Sequence, residues 1–336
     1  MDPLNALVVL ANFVVIPALA YGSQLALGAL GVTLIYGVLR FSNFAHGDVM
    51  AFGAMIAVLL TWWLQSLGVS IAPLPTALLA LPAAILATVL LTLLTDRWVY
   101  RHYRLKKAAP VVLVMVSIGV MFVMNGIVRL VIGVGDHSFS DGARFVITVG
   151  QFREMTGLAE GLALRTSQLI TVITAVLMVA ALFWLLNRTR TGKAMRAFAD
   201  NEDLALLSGI RPEQVVRLTW VLAATLAATA GTLYGLDKSF KAFTFFQLLL
   251  PIFAAAIVGG LGSPQGAIAG GFLIAFSEVS VTYAFKRVLG HLLPDSLAPE
   301  GLVQLLSTDY KFAVSFAILV IVLLVRPTGL FRGRSV

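Results

Sequence analysis

Residues 110–132 read PVVLVMVSIGVMFVMNGIVRLVI, an apolar run holding a single charged residue, Arg129. At a helical rise of ~1.5 Å per residue, such a run crosses a hydrocarbon layer ~30 Å thick. A membrane barrel would instead show strands of ~10 residues with alternating polarity. Runs of the same character recur at approximately 4–20, 22–39, 44–66, 75–95, 168–187, 217–236, 247–260, 265–285 and 311–326, ten segments with the first. The composition agrees, with 59% hydrophobic and 12% charged residues. A soluble domain carries ~25% charged residues and has nowhere to hide so much apolar side chain. The predicted fold class is all-α, a polytopic transmembrane helical bundle of about 8–10 helices. Gly and Pro interrupt 22–66 and 247–285, so Gly-rich broken helices are expected there.

The net charge of +8 sits mainly in short loops. That pattern reads as membrane topology and gives no case for nucleic acid. Arg97, Arg101, Arg104, Lys106 and Lys107 follow the fourth run. Arg188, Arg190, Lys193, Arg196, Arg211 and Arg217 follow the sixth, Arg40 lies between the second and third, and Arg326, Arg332 and Arg334 close the chain. Ten spans put all of these on the cytoplasmic side, together with both termini. Lys238, Lys241, Lys286 and Arg287 fall on the other side and weaken the asymmetry. Residues 133–167 form the main extracytoplasmic loop, with room for a short interfacial helix. No basic region precedes the first run, so it is expected to be retained as a helix. The whole of 1–336 reads as a single transmembrane domain.

The chain lacks cysteine, and His46, His102, His137 and His291 are scattered, so neither a metal nor another cofactor is expected. Gly192-Lys193 is followed by Ala194 and lacks the spacing of a phosphate-binding loop. No acid, base or nucleophile cluster gathers at one depth, which argues against an enzyme. A stand-alone secondary transporter or channel is the rival suggested by scattered polar residues within the spans.

Three stretches carry more information than the hydrophobic bulk. Residues 191–217 form a cytoplasmic loop. Within it Ala194, Ala197, Phe198, Asn201, Ala205 and Ser208 recur at helical spacing, predicting one helix of ~three turns that ends near Gly209. Such a helix lies on lipid headgroups or docks on a partner. Asp200, Glu202 and Asp203 oppose contact with anionic lipid and favour docking. The stretch Arg40 to Asp48 is either a cytoplasmic turn in water or a discontinuous helix, with Asn43 and His46 beside a translocation path. The stretch Gly259 to Gly266 is either its pseudo-repeat or a site of close helix packing through small residues. Glu278 is expected near the outer end in contact with water, and Ser117 and Asn125 as hydrogen-bonding glue between helices.

Taken together, four stretches are similar to one family. They are Tyr36-Gly37 through Asn43-Phe44-Ala45-His46-Gly47-Asp48, Gly192-Lys193-Ala194-Met195-Arg196-Ala197 through Gly209-Ile210, Gly259-Gly260-Leu261-Gly262-Ser263-Pro264-Gln265-Gly266-Ala267, and Tyr310-Lys311 through Arg326-Pro327-Thr328-Gly329-Leu330. In register from residue 22 onward, the chain resembles the branched-chain amino acid permeases of ABC importers, in their H-type subunit. It departs from them in the extra run 4–20 and in Asp48, where Glu is expected. The resemblance implies an inner-membrane permease subunit of bacterial type that hydrolyses no ATP itself. It further implies two cytoplasmic ATPase subunits, a second homologous permease and a periplasmic substrate-binding protein, with lipid around the bundle. Under it, 191–217 is the ATPase-coupling loop, with Ala194, Arg196, Ala197, Asp200, Asp203, Leu204 and Gly209 as contact residues. Asn43, His46, Gly47, Ser263 and Gln265 are assigned to the translocation path. Branched-chain amino acids are the implied cargo, and urea, short amides and small aromatic acids are carried by similar permeases.

Overall fold

A computed structural model describes residues 2–294, 301 and 303–331; Arg332 and Arg334 lie outside the described residues. The helices are α1 (Pro3–Leu39), α2 (His46–Ser66), α3 (Ala77–Leu105), α4 (Pro110–Ile132), α5 (Val149–Thr156), α6 (Thr166–Arg188) and α7 (Arg190–Asp200). They continue as α8 (Glu202–Leu207), α9 (Pro212–Lys238), α10 (Ala242–Gly259), α11 (Pro264–Thr282), α12 (Lys286–Leu292) and α13 (Lys311–Val325). A short antiparallel pair, Phe145–Ile147 with Leu164–Arg165, closes the loop around α5. Among the described residues, nine helices are long and apolar enough to cross a membrane.

Nine spans replace the ten read from the sequence, because 4–20 and 22–39 are one continuous helix. Pro17 cannot donate a backbone hydrogen bond, yet the helix does not end there. It widens to a π-helical turn at Ala11–Val15 and continues. Tyr21-Gly22, the apparent boundary, is buried helix, with Gly22 pressed on Phe272 and Ala275 of α11. At 37 residues α1 is ~55 Å long and outreaches the hydrocarbon.

One span fewer also separates the termini. At one end of the bundle, Asp2 N donates to His291 O at 2.7 Å, and Glu160 N donates to Asn5 Oδ1 at 2.9 Å. This is the end that carries loop 133–165. At the other, basic end, Leu330 N donates to Val258 O at 2.8 Å, beside Arg40 and Lys193. The described ends of the chain, Asp2 and Phe331, therefore lie at opposite ends of the bundle, whereas ten spans would put both termini on one side.

The core is built on α1, whose second half is buried on nearly every face between α6, α9, α10 and α11. A helix apolar all round is stable only when enclosed this way. Around it, α4 buries Leu113, Ser117, Met121, Met124 and Val128 on one stripe and exposes Met115, Phe122 and Leu130 on the other. Glycines set the tightest contact. A Cβ built on Gly259 would lie on the Gly266 carbonyl, and one on Gly270 would lie on the Ala255 carbonyl. Close packing through small residues thus accounts for this stretch. Glu278 is a second correction: it is 1% exposed, away from water, and accepts from the Ser315 hydroxyl.

At the loop end, Glu160 accepts from Arg287 (Nη2 at 2.8 Å) and pairs with His291 Nε2 at 2.9 Å. Burial works to raise its pKa, but the bonds from His291 and Arg287 and the charges beside it outweigh that. The carboxyl is held below the ordinary glutamate range.

Two outcomes follow from this packing. Gly259→Ala is expected to lower the unfolding temperature of the detergent-solubilised protein, at a cost of ~1–3 kcal/mol for overpacking. Gly119→Ala, where a Cβ meets nothing within 4 Å, leaves it unchanged. Because the folded Glu160 value is depressed, its stabilisation is complete above the ordinary glutamate value and is lost as pH falls through the depressed one. Hydrogen exchange of residues 2–12 should therefore quicken only below the ordinary glutamate range. In Glu160→Gln it should be fast already at neutral pH.

Candidate functional site

The loop from 189 to 211 is built from its caps. Thr189 Oγ1 accepts from Gly192 N at 3.0 Å and starts α7. Gly192, Met195 and Phe198 are buried, and Gly192 sits against the backbone of Leu185 and Leu186 with no room for a Cβ. Asn201 then turns extended, and its Oδ1 accepts from Leu204 N at 3.0 Å, which caps α8. Asparagine at this point competes for the backbone and restarts the helix, with Glu202 and Asp203 favoured in the new first turn. Gly209, at φ +79°, ends it. The single helix predicted across Asn201 is thus two. The inward face is Gly192, Met195, Phe198 and Ala205, whereas Ala197 and Asn201 face outward.

The break has a consequence for α8. It exposes Leu204 by 61% and Leu207 by 85%, next to Glu202 and Asp203. The acidic pair and the leucines thus share one exposed turn.

Beneath α7 lies a cavity of about 770 Å³. Arg40, Lys193, Arg196, Asp200, Ser263 and Gln265 all reach it, bringing together three stretches far apart in sequence. The Arg40 guanidinium donates to the Ala199 carbonyl in the last turn of α7. Arg196 Nη1 donates to Asn187 Oδ1 at 3.3 Å. Ser263 caps α11, its Oγ accepting from Gly266 N at 3.1 Å, after the turn made by Gly260 and Gly262 at φ +109° and +84°.

Asn43, His46 and Gly47 are not among the cavity residues. The stretch 40–46 leaves the basic end and runs into the bundle, where Asn43, His46 and Asp48 are all buried. It is no turn in water. Asn43 Oδ1 accepts from Tyr100 OH at 3.1 Å and from Ala45 N at 3.2 Å. Phe44 N donates to Ser117 Oγ at 3.1 Å, and Asp48 Oδ1 accepts from Asn125 at 2.7 Å. Ser117 and Asn125 thus act as interhelical glue. The His46 ring packs on Gly31, and Gly47 lies against the Phe245 carbonyl.

Sequence reasoning missed the support beneath this stretch. Asp96, in the π-helical turn of α3, accepts from Trp220 Nε1 at 2.8 Å and from Arg104 Nη1 at 2.6 Å. Tyr100 stacks on Trp220 with centroids 5.0 Å apart. Arg101 Nε reaches Glu213 at 3.5 Å. The basic residues after the fourth run are therefore more than topology markers. A lone aspartate ending an apolar run was the available signal. The whole arrangement offers hydrogen bonds and ion pairs that fix position, and no nucleophile–base pair.

The chain matches the family model described as branched-chain amino acid transport system, permease component, over residues 14–323. It is 31% identical over 318 residues to the high-affinity branched-chain amino acid transport system permease protein LivH of Salmonella typhimurium, covering 93% of this chain and 92% of that one. It is 30% identical to LivH of Escherichia coli K12 over 314 residues, with coverage of 93% and 92%. It is 29% identical to BraD of Pseudomonas aeruginosa over 317 residues, covering 94% of both. No solved structure shows significant similarity to it.

Asp96→Ala would leave the Arg104 charge and the Trp220 N–H without their acceptor. The expected loss is ~3 kcal/mol, read as a lower unfolding temperature of the purified protein. Asp96→Asn, which keeps an acceptor for Trp220, should lose less.

Proposed function

Since the chain belongs to the branched-chain amino acid permease family, we propose that it is the membrane subunit of an ATP-driven importer of branched-chain amino acids. The observation that carries this is the family match, which runs through nearly every span and through α7 and α8. ATP hydrolysis belongs to separate chains. The partners are two cytoplasmic ATPase subunits, a second homologous permease and a periplasmic substrate-binding protein.

In this reading the basic end faces the cytoplasm and loop 133–165 faces the periplasm, in the inner membrane. The N-terminus is then periplasmic and the C-terminus cytoplasmic. The unit α7–α8 is the ATPase contact. Leu204 and Asp203 meet the partner from α8, while Asp200, Arg196, Ala197 and Ala194 do so from α7 and Gly209 fixes the exit. Support comes from the exposure of Leu204 and Leu207 beside acidic residues on the basic end. The cavity over Ser263 and Gln265 is the cytoplasmic mouth of the path. Asn43, His46 and Gly47 brace that path from within the bundle instead of lining its mouth. Alternating access would open and close the mouth as the ATPase pair separates and joins.

The test is Leu204→Asp combined with Leu207→Asp in the assembled transporter. Both side chains are exposed, so the permease itself should remain folded and monodisperse. Co-purified ATPase and binding-protein-dependent leucine uptake should each fall at least tenfold. Wild-type uptake by this variant would refute the contact.

A further inference from the structure

Arg40 stands at φ +56°, ψ +28°, at the end of α1. Its backbone N–H closes the helix on Tyr36 O at 3.0 Å. A left-handed residue in this role is ordinarily glycine, because a Cβ is strained there. Nothing in the backbone therefore accounts for an arginine. Its side chain does: the guanidinium leaves the bundle and donates to the Ala199 carbonyl, one residue before the end of α7.

The two bodies joined by this bond are held very differently. The stretch after Arg40 is fixed to the bundle at every step. Phe41 packs on Tyr100 at 5.6 Å, Asn43 accepts from Tyr100, Phe44 N donates to Ser117, and the Phe44 ring meets Phe253 at 5.1 Å. By contrast, α7 is held by its cap at Thr189, by Gly192 against the end of α6 and by the buried Met195 and Phe198, and its last turn is held least. Beyond Phe198 its residues are exposed or only partly covered. A rotation about Gly192 moves the Ala199 end most, through a lever of ~10 Å.

We propose that Arg40 is a positioning residue that carries the movement of α7 into the break between α1 and α2. This rests on the reading of α7–α8 as the ATPase contact. The bond ties the moving end of the lever to the segment between α1 and α2 that leaves helical geometry and runs buried into the bundle. A shift of Ala199 thereby reaches Asn43 and the start of α2, instead of being lost in the loop.

The experiment uses the full transporter in proteoliposomes with its binding protein, substrate and ATP. Arg40→Gly keeps the backbone comfortable at φ +56° and removes only the side chain. ATPase subunits should co-purify at the unmodified ratio, and the unfolding temperature should hold. Uptake should fall at least tenfold while ATP consumed per substrate imported rises by a similar factor. Arg40→Lys keeps the charge without the planar fork and should recover only part of the coupling. Full recovery by lysine would show that charge alone matters and would overturn the proposal. So would a coupling ratio in Arg40→Gly within twofold of the unmodified protein. A parallel fall of co-purification, stability and uptake would assign Arg40 a structural role and overturn it too. Failure of the ATPase contact itself is read separately, from the variant at Leu204 and Leu207.

Discussion

Inside a bilayer, a chain can leave the helix only where other groups satisfy its backbone. This constraint shapes both breaks, and each meets it with different chemistry. Between α1 and α2, side chains do the work. Asn43 accepts from Ala45 N, and the Ser117 hydroxyl accepts from Phe44 N. Those side chains must be held still in turn, which is why Asn43 leans on Tyr100, and Tyr100 on Trp220 above Asp96. Between α10 and α11 the backbone does the work itself. Leu330 and Phe331 N–H groups donate to the carbonyls of Val258 and Gly259, so the C-terminal strand of chain covers the end of α10.

The second solution depends on small residues. Apolar burial gives little drive between helices already in lipid, so packing and hydrogen bonds decide. Glycines at 259, 266 and 270 let α10 and α11 touch backbone to backbone. Gly329 presses on Gly260 in the same way, which brings Thr328 to the wall of the cavity. The first break is consequently braced by polar side chains from neighbouring helices, and the second is closed by shape. They are alike in sequence flavour and unlike in mechanism.

What could be read from the sequence follows the range of the forces involved. The spans were legible because hydropathy is a local sum, and α4 occupies the quoted residues 110–132. The false boundary at Tyr21-Gly22 arose because a glycine reads as punctuation. Here it is a close approach to Phe272, 250 residues away and invisible locally. Helical spacing across Asn201 concealed a break that the Asn-Glu-Asp cap signal announced. Asp96 and Trp220 are 124 positions apart, so their bond has no sequence signature. Glu278 was read as hydrated because an isolated carboxylate usually is, whereas Ser315 on α13 gives it a donor inside the bundle. Of the residues assigned from sequence to a path, Ser263 and Gln265 converge with the loop on one cavity, and Asn43 and His46 do not.

Local pairing also bears on the count of charges at each end. Counting formal charges set Lys238, Lys241, Lys286 and Arg287 against the cytoplasmic cluster. Two of those charges are neutralised where they stand: Lys238 lies 3.5 Å from Asp237, and Arg287 lies 2.8 Å from Glu160. A cation beside its own carboxylate contributes little net field, and the same holds at the basic end for Arg104 beside Asp96 and Arg101 beside Glu213. The Glu160 pair does more than cancel charge. It joins α12 to the loop that also receives Asn5 and Asn12, so the projecting start of α1 is clasped at the loop end. A helix too long for the bilayer thus has one face of its surplus turns, Asn5, Ala6, Val8 and Val9, covered by protein. That clasp places the described start of the chain at the loop end of the bundle.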